Sequence, residues 1–337
     1  MDILLLEALV PEAMKWLQAR HAVTLSPELA ADPRELRKTV YKARGLVLPR
    51  AVLVNRELLD FAPKLQVVAR LQGTDNIDLE ACRDRGVRVI HPSSANVRSN
   101  AEYLFGCLVM LYRRSIVSAL MGRNDASPRI GRELYGSVVG LIGLAPTAHA
   151  LAPMLKAFGV RVIGYDPAIH HTAPIWERLG VEPVTLPDLL GISDAVSVQM
   201  LYASRYCGFI SDNVLAHCKR GQMWVGISRT SLFDADALAA ALADGRIEAC
   251  ILDGAEAGFG ITDSSQTRPG KLFLTPRLGG YTREARMRAS WYVAHRLNEA
   301  LAQQLTGFDK LAAAPMDLEL PSGETASQWA EPDLIMR

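Results

Sequence analysis

One stretch, residues 138–166 (VVGLIGLAPTAHALAPMLKAFGVRVIGYD), constrains the fold more than any other. Residues 138–143 form a short, wholly apolar run, the right length for a buried strand and too short for most helices. A turn follows at Gly143, Leu144, Ala145 and Pro146. Residues 147–158 then place Ala148, Leu151, Leu155 and Phe158 roughly on one helical face. Pro153 predicts a kink if that helix is continuous, and Gly159 ends it. Residues 160–165 are a second apolar run, with Asp166 at its carboxyl end. Strand, tight turn, helix, strand and acid together are the layout of a dinucleotide-binding βαβ unit.

The glycine fingerprint of such a turn, Gly-x-Gly-x-x-Gly, falls here on Gly143, Ala145 and Ala148. Gly143 keeps the tight turn. Ala145 adds a methyl where the backbone approaches a pyrophosphate, and Ala148 is the mildest change at the position that packs helix on strand. Pro146 removes one N–H near the helix start, although proline suits a first helical turn. Gly143, Ala145, Pro146 and Thr147 are the candidate cofactor-binding residues of this turn. An ordinary βαβ crossover that binds nothing would read the same from this stretch alone.

A length of 337 residues suggests two domains of roughly 150 each. With 49% hydrophobic and 22% charged residues the chain is globular rather than disordered. A net charge of +1 gives no electrostatic reason to expect nucleic acid or an anionic membrane. No apolar run approaches the ~20 residues that span a bilayer. Asp2 stands where a signal peptide carries a positive charge, so the apolar start reads as a first strand. The five scattered cysteines, without a Cys-x-x-Cys pair, fit a reducing cytoplasm and no structural metal.

Before residue 91 the pattern alternates between strands (2–8, 23–25, 45–48, 65–71, 87–90) and helices (11–20, 33–44, 55–61, 78–85), which implies a parallel sheet. Residues 91–99 read as a polar loop. Residues 101–114 read as a helix apolar nearly all round, buried between domains or in a subunit contact. Residues 115–135 read as a basic linker or arm. After the βαβ unit, strands are expected at 195–200, 223–227, 249–252 and 272–275. Helices are expected at 186–190, 212–217, 234–243 and 283–304. The tail from residue 311 reads as a surface or partner-bound arm.

Several pieces then occur in a familiar order: ARLQGTDNID at 69–78, Asn96 with Ala101-Glu102, the βαβ unit, SDAVS at 193–197, GISR at 226–229, Leu252-Asp253, and Thr275-Pro276 with Gly279-Gly280. In these the sequence resembles the D-isomer-specific 2-hydroxyacid dehydrogenases, over residues 45–304. The resemblance implies an α/β protein with two Rossmann-like, doubly wound parallel-sheet domains and a cleft between them. A discontinuous substrate domain would comprise residues 1–100 and 290–337, and a dinucleotide-binding domain residues 101–289. It further implies NAD as cofactor, a small anionic substrate and a homodimer. By the same resemblance Arg229 holds the substrate carboxylate, a task that suits a planar guanidinium. Gln72, Gly73 and Asn96 line the substrate site, Asp166 binds the ribose hydroxyls and favours NAD over NADP, and Asp253 lies near the nicotinamide.

The family's acid/base histidine, however, falls on Arg277, which cannot lose a proton near neutral pH. Counted without a gap, the family glutamate that supports this histidine falls on Gly258, and Glu256 is the nearby carboxylate that could stand in. Thr230, Leu201, Gln199, Leu71 and the pair Gly254-Ala255 also depart from the family pattern. Three readings follow. The chain is a divergent NAD-dependent oxidoreductase with Arg229, Glu256 and Arg277 in catalytic positions, two guanidinia suiting a substrate with two anionic groups. Or it is an impaired member acting as a nucleotide-binding or regulatory protein. Or it is a non-redox enzyme using the same cleft. No other histidine is an obvious replacement, His91, His149 and His295 included, and Tyr103 or Tyr281 could donate a proton only with a lowered pKa.

Overall fold

The structure, a computed structural model, describes residues 1–115, 130–201, 203–256, 259 and 271–302. Its described helices are α1 (Pro11–Gln18), α2 (Pro33–Val40), α3 (Arg56–Asp60), α4 (Leu79–Asp84), α5 (Val97–Tyr112), α6 (Pro146–Ala157), α7 (Pro174–Leu179), α8 (Leu186–Ile192), α9 (Asp212–Leu215), α10 (Ala235–Asp244) and α11 (Arg283–Ala302). The chain divides into two compact units, one of Met1–Asn96 with the residues from Arg283 onward, the other Val97–Thr282. Cuts at 100 and 290 would fall inside α5 and α11; the observed ones fall at their first residues.

The first unit is a parallel sheet of β1 (Ile3–Leu5), β2 (Val23–Leu25), β3 (Gly45–Val47), β4 (Val67–Ala69) and β5 (Arg88–Ile90), in the order β2-β1-β3-β4-β5. The expected strands 2–8 and 65–71 are shorter than read, because apolar residues such as Leu71 continue past the ladder into packed turns. The helices start where side chains can cap them. Asp32 accepts from Arg34 and Glu35, Asn55 from Leu58, and Asp78 from Ala81. One sheet face packs against α1 and α11, joining Ile3, Leu5, Val47 and Val67 to Leu17, Val293 and Leu297. The other face buries Leu4, Leu46 and Val68 against Leu36, Leu58 and Cys82.

The second unit is a seven-stranded parallel sheet of β6 (Val138–Ile142), β7 (Arg161–Tyr165), β8 (Glu182–Pro183), β9 (Ala195–Val198), β10 (Gln222–Gly226), β11 (Ile247–Asp253) and β12 (Leu272–Thr275), in the order β12-β11-β10-β9-β6-β7-β8. The apolar runs of its central strands are buried on both faces. Val139, Leu141, Met223 and Val225 pack against α5 and α6, whereas Ile142, Val196, Val198 and Trp224 pack against α8 and α10. The chain reverses its winding between β6 and β9, the place where open α/β sheets take a ligand at the strands' carboxyl ends.

Three expectations are corrected. The polar stretch 91–99 is not all loop, since α5 begins at Val97 and Ser99 is buried in it. The apolar face of α5 is filled within its own unit, against α6 and the sheet. Helix α6 starts at Pro146, one residue before the expected start, and is continuous through Pro153. The expected arm at 115–135 lies largely outside the described residues, as do Gly258 and the tail from 311.

Candidate functional site

The turn between β6 and α6 is fixed by contacts that glycine alone allows. Gly143 has φ +91°, and a Cβ there would lie 2.7 Å from Met200 Cα and Cγ. Its N–H donates to the Tyr165 carbonyl at 2.8 Å, and its carbonyl accepts from Gln199 Nε2 at 2.7 Å. Gln199 is itself buried and oriented by the Ser197 hydroxyl, whose Oγ donates to Gln199 Oε1 at 2.7 Å. Gln199 therefore serves the turn. Ala145 sits at φ −56°, a conformation open to any L residue, so its methyl costs the backbone nothing. No side chain caps α6, and Pro146 opens it, with Thr147 buried behind. Asp166 stands at the end of β7, where its Oδ2 accepts the Leu144 N–H at 2.7 Å and its Oδ1 the Ala168 N–H at 2.8 Å. A carboxylate retains lone pairs beyond those two bonds. An uncapped helix start of positive potential beside a glycine turn, with an acid at the neighbouring strand end, fits the pyrophosphate and ribose of a dinucleotide.

The second constellation lies after β10, β11 and β12. Arg229 precedes a 3₁₀ turn at Thr230–Leu232, and its Nη1 is 3.6 Å from Glu256 Oε1. Glu256 Oε2 accepts the Ser231 N–H at 2.9 Å. The Glu256 N–H donates to Thr230 Oγ1 at 3.0 Å, which gives the threonine at 230, fully buried, a task no glycine could perform. Burial alone would raise the Glu256 pKa, but the Ser231 N–H and the charges of Arg229 and Arg277 outweigh it and hold the carboxyl below its ordinary value. Arg229 thus pairs with this carboxylate, the Arg277 charge acts on it as well, and the glutamate is ionised at neutral pH. Arg277 itself is in the left-handed region, φ +58°.

Asp253, at the end of β11, is buried. Its Oδ1 accepts from Thr275 Oγ1 at 2.6 Å and from the Leu278 N–H at 2.7 Å, and its Oδ2 from the Gly279 N–H at 2.8 Å. It fastens the loop that carries Arg277. Tyr103 extends the network, its hydroxyl 2.6 Å from Thr275 Oγ1. Burial pushes that hydroxyl well above the usual tyrosine range, so Tyr103 is no proton donor at neutral pH. Tyr281 is exposed.

Gln72, Gly73 and Asn96 belong to the first unit. Gly73, with φ +65°, donates its N–H to His91 Nε2 at 3.0 Å, so that nitrogen is unprotonated. Burial, and then the Arg70 charge, lower the His91 pKa further. Burial also lowers those of His149 and His295. Serine 231, Thr230, Thr275 and Gln199 are the contributors that the sequence reading did not assign. Their only signal was to lie in or next to a matched motif, or to depart from one. Among the described residues no cluster of three metal-ligating side chains occurs, and no helix is long and apolar enough to cross a membrane.

Comparison with known proteins agrees with this geometry. The family model for the D-isomer specific 2-hydroxyacid dehydrogenase, NAD binding domain, matches residues 108–279. The D-3-phosphoglycerate dehydrogenase of Mycobacterium bovis is 34% identical over 275 residues, 80% of this chain and 52% of that protein. The (S)-sulfolactate dehydrogenase of Chromohalobacter salexigens is 30% identical over 304 residues, 89% of this chain and 98% of that protein. A solved structure from Polaromonas, described as a D-isomer specific 2-hydroxyacid dehydrogenase, superposes with a TM-score of 0.77 at 25% identity, over 90% of this chain and 97% of that one. The chain belongs to the D-isomer specific 2-hydroxyacid dehydrogenase family and carries its NAD binding domain. It spans about half the length of the mycobacterial relative, 52%.

Proposed function

We propose that this chain is an NAD-dependent oxidoreductase that interconverts a small anionic 2-hydroxy acid and its 2-oxo acid. Gly143, Ala145, Pro146 and Thr147 hold the pyrophosphate, and Asp166 the ribose. When bound, NAD supplies or accepts the hydride. Arg229 grips the substrate carboxylate through its planar fork. Arg277 occupies the family's histidine position but carries a permanent charge. It meets the second negative charge, the one that develops on the carbonyl oxygen as hydride arrives, and stabilises it without transferring a proton. The proton then comes from water. Glu256, held ionised, is neither acid nor base; it orients the two guanidinia.

The Arg229–Glu256 pair, with the Arg277 charge acting on the same carboxylate, carries this reading. By analogy with the relatives' names, the substrates to try first are the 2-oxo acids of 3-phosphoglycerate and sulfolactate. NADH oxidation should be seen with one such acid and fall at least tenfold in Arg229→Lys, the loss expected for a broken bidentate contact. The rate should stay level between about pH 6 and 8, because no histidine titrates in the step. NADH binding without turnover of any 2-oxo acid would select the regulatory reading instead. The same reading takes the chain as a cytoplasmic homodimer. Its five unpaired cysteines, one of them exposed, support a reducing compartment, and gel filtration tests the dimer.

A further inference from the structure

Gly254 and Arg277 are 23 positions apart in sequence but share one carbonyl. The Gly254 N–H donates to Thr275 O at 2.7 Å, and the Arg277 N–H to the same oxygen at 3.0 Å. Both residues are left-handed, Gly254 at φ +83° and Arg277 at +58°. The side chain of Arg277 lies across the bare Cα of Gly254. A Cβ on residue 254 would stand 2.7 Å from Arg277 Cγ, 3.3 Å from Nε and 3.5 Å from Cδ. The closest of these atoms is at the root of the side chain, so a methyl there would turn the whole arginine aside rather than merely nudge its tip. Gly254 is buried and follows Asp253, which anchors the other end of the same loop.

From this geometry we infer that Gly254 is a positioning residue: its missing side chain is the cradle that sets the course of the Arg277 side chain, and with it how its charge acts on the Glu256 and Arg229 cluster. It rests on the proposed role of that cluster only for its catalytic meaning, since the cradle is a matter of packing. Glycine at 254 and arginine at 277 form a matched pair, and neither position is exchangeable alone. A bulky residue at 254, as the family pattern has it, leaves no room for an arginine lying in this direction.

The test is a cycle of Gly254→Ala, Arg277→Ala and the double variant in the full chain. A left-handed alanine is strained wherever it stands, so Gly245→Ala serves as control. Gly245 has φ +79° and only Arg220 Nη2 near, at 3.8 Å. The first readout is the titration midpoint of Glu256, followed by carbon NMR of glutamate-labelled protein. Removing the Arg277 charge raises it. Gly254→Ala should raise it as well, the double variant should raise it no further than Arg277→Ala, and Gly245→Ala should leave it unmoved. The second readout is the affinity for malonate, a small dianion, by calorimetry. A roughly tenfold loss is expected in either single variant, and about the same loss in the double, as for one lost charge-assisted contact. An unmoved Glu256 midpoint in Gly254→Ala, or a midpoint shift that adds fully to that of Arg277→Ala, overturns the inference. Failure of malonate to respond to Arg277→Ala, with the midpoints behaving as expected, overturns the proposed anion role and leaves the cradle standing.

Discussion

The turn after β6 and the loops after β11 and β12 are held together in different ways. At the turn two glycines have become alanines, and the backbone was ready for them. Ala145 has a negative φ and Ala148 lies inside a helix, whereas the one glycine whose geometry forbids a Cβ, Gly143, is retained. At the loops Arg277 is a permanent cation, and its neighbours accommodate it. Thr230 ties down the Glu256 backbone, Glu256 pairs with Arg229, and Gly254 makes way for Arg277. The first region shows substitution within an unchanged geometry. The second shows a set of residues joined by contacts across three loops.

The contrast is sharpest where a single buried group holds a loop. Asp253→Ala leaves the Leu278 and Gly279 N–H groups without their acceptor and should cost about 3 kcal/mol or more in urea denaturation. A loss below about 1 kcal/mol would mean the loop stands without its anchor. Gly143→Ala combines left-handed strain with a clash against Met200, and should cost about 2 kcal/mol and weaken NADH binding as the turn shifts. In the loops, Arg277→His alone should gain less than about tenfold in turnover of any 2-oxo acid, because one histidine does not recreate its supporting carboxylate. Robust activity in that variant would dissolve the idea of a matched set. In the turn, Ala145→Gly should tighten NADH binding only a few-fold by calorimetry, about 1 kcal/mol, because its backbone is already permissive.

The smallest effect concerns pH. The folded-state pKa of Glu256 lies below its unfolded value, so the contribution is present above the unfolded pKa and is lost as pH falls through the folded one. The stability gap between the protein and Glu256→Gln should therefore be about 0.5–1 kcal/mol near neutral pH, in keeping with a partly exposed pair, and close in acid. A gap that widens in acid would contradict the direction given for Glu256.

Much of the scaffold could be read from hydrophobic period and punctuation. The β6–α6–β7 unit and the long helix from Arg283 are where the pattern puts them, and the helices read from Asn55, Asp78 and Asp234 begin one residue later, with those side chains as caps. Helix α7 escaped because it buries only Trp176 and offers no periodic face. The strand ends were overread because apolar residues continue past the ladder into packed turns, as Leu71 and Met200 do. In the site, single residues such as Arg229, Arg277 and Asp166 stood out by motif. What holds them did not, because Thr230 with Glu256 and Gly254 with Arg277 are pairs joined by the fold over more than twenty positions. The Asp253 carboxylate, expected beside the nicotinamide, is engaged by Thr275, Leu278 and Gly279.

The route of the chain through its first unit has a bearing on how the protein is made. Strands β1, β3 and β4 leave the ribosome early, yet Val293 and Leu297, which cover one face of them, come some two hundred residues later. The intervening unit has its whole sheet in hand before α11 is translated. The nascent first sheet must therefore wait, half clothed and sticky, while a younger neighbour matures ahead of it, which makes that interval the moment of greatest need for a chaperone.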